Sequence, residues 1–148
     1  MITILKPEEQ HQHKNGGGWV ANTAKVADSA YVGPEAQVFG TAQVFSDAWV
    51  LGTAWVSGNA QVYGNAKVFD SAHVFGNAKV FDSAWVFGSA WAFGNAKVFG
   101  DAWVFGTALV FGRALVSGDA WVYDTARVSG NARVYGKAQV FGNDKVSD

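Results

Sequence analysis

From Trp19 onward, apolar and polar positions recur with a period that never slips. Every sixth residue from Val20 to Val146 is Val, except Ala92, and every sixth residue from Ala24 to Ala138 is Ala. No hexad carries an insertion or a deletion. A period held through 22 consecutive valine slots marks a repeat architecture and outranks every local signal. The unit reads Asn-Ala-Lys-Val-Phe-Gly, as at residues 95–100. Within it Ala-x-Val-x alternates, so Ala and Val point to one side of an extended segment and the two x residues to the other. Lysine recurs in the first x slot. The x slots therefore face water, and Ala and Val face inward. The pairs that follow, Gly-Asn, Asp-Ser and Gly-Thr, are turn formers. Each hexad is predicted to be a strand of about four residues closed by a corner of about two.

One strand per hexad, always in the same sense, builds a coil rather than hairpins, and small inward residues make its interior narrow. The coil length is written in glycine. Gly40, Gly58, Gly76, Gly94, Gly112 and Gly130 form an unbroken column at spacing 18, which is three hexads and a triangular prism. The other two edges admit Ser46, Asp70, Asp82 and Asp124 at the same slot. The glycine edge is expected to need a positive φ or the close approach of another chain. Residues 19–148 then make about seven coils, stacked ~4.8 Å apart. Residues 1–18 break the pattern and are read as an N-terminal arm. Ile2-Thr3-Ile4-Leu5 reads as a short strand, Pro7 to Lys14 is polar, and Asn15-Gly16-Gly17-Gly18 reads as a flexible entry. An open strand edge invites aggregation, so the arm is expected to fold over the N-terminal end of the stack as a cap.

On these residues the chain resembles a known superfamily. The hexads of 19–146, opening with Asp28-Ser29-Ala30-Tyr31-Val32-Gly33-Pro34-Glu35-Ala36, look like the hexapeptide-repeat, left-handed parallel β-helix proteins that include bacterial acyltransferases and γ-class carbonic anhydrases. The nearer likeness is to bacterial and phage proteins of undefined function built from N-A-x-V-[FY]-G repeats. The resemblance implies an all-β, left-handed parallel β-helix and parallel homotrimers. Handedness comes from the resemblance alone, because crossovers between parallel strands are otherwise right-handed in about 98% of cases. The chain departs from the enzymes in one slot. Phe or Tyr mostly follows the aliphatic residue, where they usually have Gly, a small residue or an acid.

Composition changes the picture in the outward slots. All seven Trp and Tyr31 stand in the slot before the aliphatic residue, and all eleven Phe and the other three Tyr stand in the slot after it. At 18 residues per coil the faces differ. One carries Trp49/Leu51, Lys67/Phe69, Trp85/Phe87, Trp103/Phe105, Trp121/Tyr123 and Gln139/Phe141. A second is basic, with Lys25, Gln43, Gln61, Lys79, Lys97, Leu115 and Arg133 interleaved with Phe45, Tyr63, Phe81, Phe99 and Tyr135. The third is mixed, with Trp55, His73/Phe75, Trp91/Phe93, Leu109/Phe111 and Arg127. Each ring can bury ~150–250 Å², whereas the largest apolar patch on a monomer is ~300–600 Å². Stacking of like rings shields part of such a face. The remainder predicts self-association, as a homotrimer on the resemblance, through Trp49, Trp85, Phe87, Trp103, Phe105, Trp121 and Tyr123.

Candidate chemistry is sparse. Acyltransferases of the resembled fold use a histidine base in an outward slot, and His73 is the repeats' one histidine. Such a base can take a proton near pH 7. However, the repeats lack the acceptor-binding loop and added C-terminal segment usual in those enzymes, so a non-catalytic reading is preferred and His73 is the alternative. A γ-class zinc site needs three histidines from neighbouring coils and subunits. His11 and His13 lie in the arm, read as solvated loop residues, with no convincing third ligand. No Ser-His-Asp set, phosphate loop or carboxylate pair emerges, and Asp47, Asp70, Asp82, Asp101, Asp119 and Asp124 fall in corner slots where Asp forms turns. No metal and no cofactor is implied. Lys79/Phe81, Lys97/Phe99 and Arg133/Tyr135 pair cations with rings, a surface able to hold a phosphate and stack a base. The second reading is therefore a sequestering protein for a nucleotide-like anionic aromatic ligand in grooves between subunits. Net charge is −1, which argues against long nucleic acid as partner. There is no cysteine for a disulfide or thiolate site. With no signal-peptide pattern and no apolar run of membrane length, the expected setting is the cytoplasm and not the membrane.

Overall fold

The structure is a computed structural model that describes residues 6–148, so the short strand expected at 2–5 lies outside the described residues. From Lys25–Val26 to Lys145–Val146 each strand is two residues, one outward side chain followed by the inward aliphatic one. The strands stack into three sheets, two of seven strands and one of nine. From Trp19 on, pairing is parallel, and each strand lies beside the one 18 residues along. Lys67 stands opposite Trp49 and Trp85, and Val68 opposite Val50 and Val86. The result is a parallel β-solenoid of about seven turns, and among the described residues there is no α-helix.

The interior follows from the two inward slots. Every Ala and Val slot from Ala30 to Val128 is 0% exposed. Valine suits this place because its β-branch packs on a pleated surface, and each fully buried Val is worth ~1.5–3 kcal/mol. Alanine fills the slot next to each corner and is as fully buried as valine over that span.

The strands are shorter than expected, and the corners explain why. Backbone bonding does extend past the two paired residues, since the Leu51 N–H donates to the Val68 carbonyl at 2.8 Å. The next residue then turns left-handed. This holds at all three edges: φ is +65° at Gly40, +61° at Gly52 and +70° at Gly64, and +56° to +59° at Ser46, Asp70, Asp82 and Asp124. Positive φ therefore does not single out the glycine column. Close approach within the chain does not either: an added Cβ would lie 3.0 Å from the Gly58 nitrogen at Gly40, and 2.8 Å from the Asp70 oxygen at Gly52. The aspartates are tolerated for a separate reason. Asp is among the few L-residues that visit the left-handed region. The carboxylates of Asp70, Asp82 and Asp124 also accept the N–H of Gly88, Gly100 and Gly142, one turn along, at 3.0–3.2 Å. Nothing in the structure explains why the 40–130 column alone is all glycine.

The arm lies against the first turn. After a 3-10 turn at Pro7–Glu9, β1 (Gln10–Gln12) pairs antiparallel with β2 (Trp19–Ala21) at the end of the nine-stranded sheet. The Gly18 N–H donates to the Val32 carbonyl at 2.9 Å, and the Val32 N–H to the Asn15 carbonyl at 3.1 Å, so the arm also meets the edge of a second sheet. The glycines of Asn15–Gly18 read as a flexible entry, but close packing accounts for two of them. A Cβ on Gly16 would stand 2.2 Å from the Val32 oxygen, and one on Gly18 would stand 2.3 Å from Val32 Cγ1. His13 also departs from the expected solvated loop. It is 6% exposed, and its Nε2 donates to the Ala30 carbonyl at 2.9 Å. At the far end Asp144, in an inward slot, is exposed, while its carbonyl still accepts the Arg127 N–H at 2.9 Å. Among the described residues no helix is long and apolar enough to cross a membrane.

Candidate functional site

With the interior uniform, chemistry can vary only in the outward slots, and each sheet displays its own pair of columns. The first candidate is the tryptophan face, on the sheet running from Tyr31–Val32 to Gln139–Val140. Strand spacing dictates ring spacing. Trp85, Trp103 and Trp121 stack 4.9 and 5.1 Å apart with planes within 3°. Beside them Phe69, Phe87, Phe105 and Tyr123 stack at 4.8, 4.9 and 5.0 Å. The two columns zip together edge to face, with Phe87 5.9 Å from Trp103 at 78°. Both geometries are favourable for rings. Lys67 interrupts the indole column, and its ammonium sits 4.6 Å from the Trp49 ring and 5.2 Å from the Trp85 ring, a cation–π bridge. Trp49, Trp85, Phe87, Trp103, Phe105, Trp121 and Tyr123 thus share one continuous face. The rungs shield one another more than the area of single rings suggested. Most of these rings are half-buried, and the exposed ones stand towards the two ends, Trp49 at 43% and Phe141 at 48%.

The basic face lies on the sheet running from Lys25–Val26 to Arg133–Val134. Phe45, Tyr63, Phe81 and Phe99 stack at 4.8, 5.0 and 4.9 Å with planes within 3°. Burial within this column raises the Tyr63 phenol above its ordinary range, and the negative charge of Asp82 adds to the shift. Lys79 and Lys97 are direct strand neighbours. Leu115 then separates Lys97 from Arg133. Lys79, Phe81, Lys97, Phe99, Arg133 and Tyr135 therefore share a face, but one rung divides the first four from the last two. That rung carries Ser117 where its neighbours carry rings, and a groove of about 400 Å³ opens there, lined by Phe99, Leu115, Ser117, Arg133 and Tyr135. Reading residues by type passed over Ser117. Aligning the slot after valine at spacing 18, as 81, 99, 117 and 135, would have found it.

The mixed face repeats this feature. Phe75, Phe93 and Phe111 stack at 4.9 and 5.0 Å, while Ser57 stands between Phe39 and Phe75. A groove of about 330 Å³ opens there, among Phe39, Trp55, Ser57, His73, Phe75 and Trp91. His73 is packed between two indoles, 4.7 Å from Trp55 and 5.6 Å from Trp91. Burial there lowers its pKa from the ordinary histidine value. A neutral imidazole could accept a proton. But the ion pair found among the described residues is Lys14–Asp28 at 2.9 Å, and no carboxylate pairs with His73 to orient it. Lys14 also holds the Asp28 carboxyl below its usual range by hydrogen bond and charge. Among the described residues no group of three or more His, Asp or Glu could hold a metal ion. His11 and His13 are tied separately to Asn22 and Ala30.

Residues 60–75 and 126–142 match the family model described as YdcK Beta solenoid repeat. No curated protein and no solved structure matches the chain. The matched segments carry the same hexads as the rest of the stack, and together with the three parallel sheets they make the chain a β-solenoid repeat protein.

Proposed function

We propose that the chain is a non-catalytic, self-associating β-solenoid. In this reading it is a left-handed helix of three hexapeptides per coil with residues 1–18 as its cap, and it assembles as a homotrimer through the tryptophan face. The observation that carries the reading is the zipped double column of rings from Phe69 to Phe141. These rings are already ordered by their neighbours, so docking a second copy costs little side-chain entropy. Aromatic side chains held rigid in this way are the residues that dominate association energies. Lys67 is the one charge in the two outward slots of this face, and the adjacent indoles already engage it.

Mass in solution tests this directly. Sedimentation should give a species near three times the 15.7 kDa chain, and Trp103→Lys with Phe105→Lys should convert it to a folded monomer. A wild-type monomer at working concentration would sink the proposal.

A second reading is supported by the groove at Ser117. There the basic face offers rings and cations together, the chemistry of a binder or sequestering protein for a nucleotide-like anion. The acyltransferase alternative would need His73 as its base. Its support is limited to a half-buried imidazole between two indoles, and loss of acyl transfer in His73→Gln is the test it would have to meet.

A further inference from the structure

The ring columns define a spacing, and their interruptions keep it. On the basic face Phe81 and Phe99 stack 4.9 Å apart with planes 2° from parallel. The next rung presents Ser117 and the one after it Tyr135. Two steps of ~4.8 Å set those flanking rungs ~9.6 Å apart. A planar ring placed at the Ser117 rung would lie one rung, ~4.8 Å, from the Phe99 rung and one from the end rung of the sheet, whose Tyr135 is 69% exposed and free to close on it, within the favourable range of about 4.5–7 Å for aromatic pairs. The solenoid backbone holds this gap open: Ala114 and Val116 beneath Ser117 are fully buried, and Ala132 and Val134 beneath the end rung that carries Tyr135 stay buried at 5% and 4%. The groove of about 400 Å³ has the dimensions of a small-molecule site.

Charge selects the ligand. Arg133 and Lys97 are exposed on the rungs above and below, and uncharged Leu115 lies between them. Two cations therefore bracket an apolar strip beside the notch, and a guanidinium can take a phosphate through two parallel N–H donors. The Ser57 notch has the same ring spacing, between Phe39 and Phe75, but its groove is lined without Lys or Arg.

We propose that the Ser117 rung is the binding site for a nucleoside monophosphate. Its base takes the missing place in the ring column between Phe99 and Tyr135, and its phosphate lies over Leu115 against Arg133 and Lys97. Stacking accepts any base, so the site selects the phosphate-bearing aromatic class and not one nucleobase. The proposal rests on the reading of the basic face as a ligand surface.

The experiment is calorimetric titration of the full chain with AMP, adenosine and ribose 5-phosphate. Wild type should bind AMP saturably and adenosine more weakly. Ser117→Phe places at this rung a ring like those of Phe99 and Tyr135 on either side, so it should fold, and it should weaken AMP by at least about tenfold. Ser57→Phe should leave AMP binding unchanged. Arg133→Gln should bring AMP down towards adenosine while leaving adenosine unaltered. Unchanged AMP affinity in Ser117→Phe, or ribose 5-phosphate binding as tightly as AMP, would overturn the notch and leave the basic face as an anion surface. Silence with all three probes would overturn both. A change in mass for Ser117→Phe, with no AMP binding by wild type, would assign the notch to a ring from a second copy and overturn the proposal as well.

Discussion

On the tryptophan face the rings run unbroken from Phe69 to Phe141. On the basic face they run from Phe45 to Phe99 and stop at Ser117. Up to Val128 both faces stand on the same fully buried Ala and Val slots, so a single outward side chain separates a sealed surface from a grooved one. The kind of interruption matters too. Lys67 breaks the indole column but bridges it with its own ammonium, 4.6 and 5.2 Å from the rings on either side. Serine cannot reach its neighbours and leaves a notch. In a solenoid each rung contacts mainly the rungs beside it, so such a change alters the surface locally and leaves the fold alone.

The comparison breaks most sharply by importing a serine into the sealed face. Phe87 stacks on Phe69 and Phe105 and meets Trp85 and Trp103 edge-on. Phe87→Ser should cost roughly 2–3 kcal/mol, less than the ~3–5 kcal/mol of a fully buried Phe. Urea unfolding followed by circular dichroism reads this out, and a cost under about 0.5 kcal/mol would show that the ladder is ornament. The converse change closes a notch. Ser57→Phe should stabilise the chain by about 0.5–1.5 kcal/mol, by completing the column from Phe39 to Phe75, and a loss of stability would mean that the notch is strained. Lys67→Ser turns a bridged interruption into an open one and should cost about 0.5–1 kcal/mol. Lys67→Trp should recover that amount in the same assay.

The smallest effect is a pH dependence on the mixed face. The folded state lowers the His73 pKa through burial between the indoles. The unfolded chain therefore binds the proton more readily. His73 contributes stability above its ordinary value of about 6.5, and that contribution fades as the pH falls through the lowered folded value. Thermal midpoints taken between pH 7.5 and 5 should fall less in His73→Phe than in wild type. Parallel curves would remove His73 as the source.

Much of the site was legible because the slots are legible. That Lys79, Lys97 and Arg133 share a face, and that Trp85, Trp103 and Trp121 share another, follows from counting by 18. Ser117 and Ser57 were equally countable, but a serine in a turn-rich sequence carries no chemical signal until the rings on either side are known to stack. His13 was not legible. It lies outside the repeats, and its burial depends on β1 doubling back along β2. At Gly16 and Gly18 flexibility and close approach use the same residue, and only the position of Val32 decides between them. The same holds for the corners, where Asp82 shares the left-handed turn with glycine and is held there by the Gly100 N–H one turn away.

What the sequence by itself determined is which strand residues of the stack face inward and which outward, from Ala30 to Val128. Alternation with period two separates inside from outside, and the six-residue frame returns each slot to register, so no tertiary information is needed. What only the tertiary structure decided is how outward residues treat one another. Residues 18 apart become neighbours when the coil closes. Only then do Phe99, Ser117 and Tyr135 become a ring, a gap and a ring rather than three letters spread across 37 positions. The physical reason is that strand spacing of ~4.8 Å matches ring stacking. Once the backbone sets that spacing, rings on successive rungs find one another, and Ser57 and Ser117 each open a groove between two aromatic rungs.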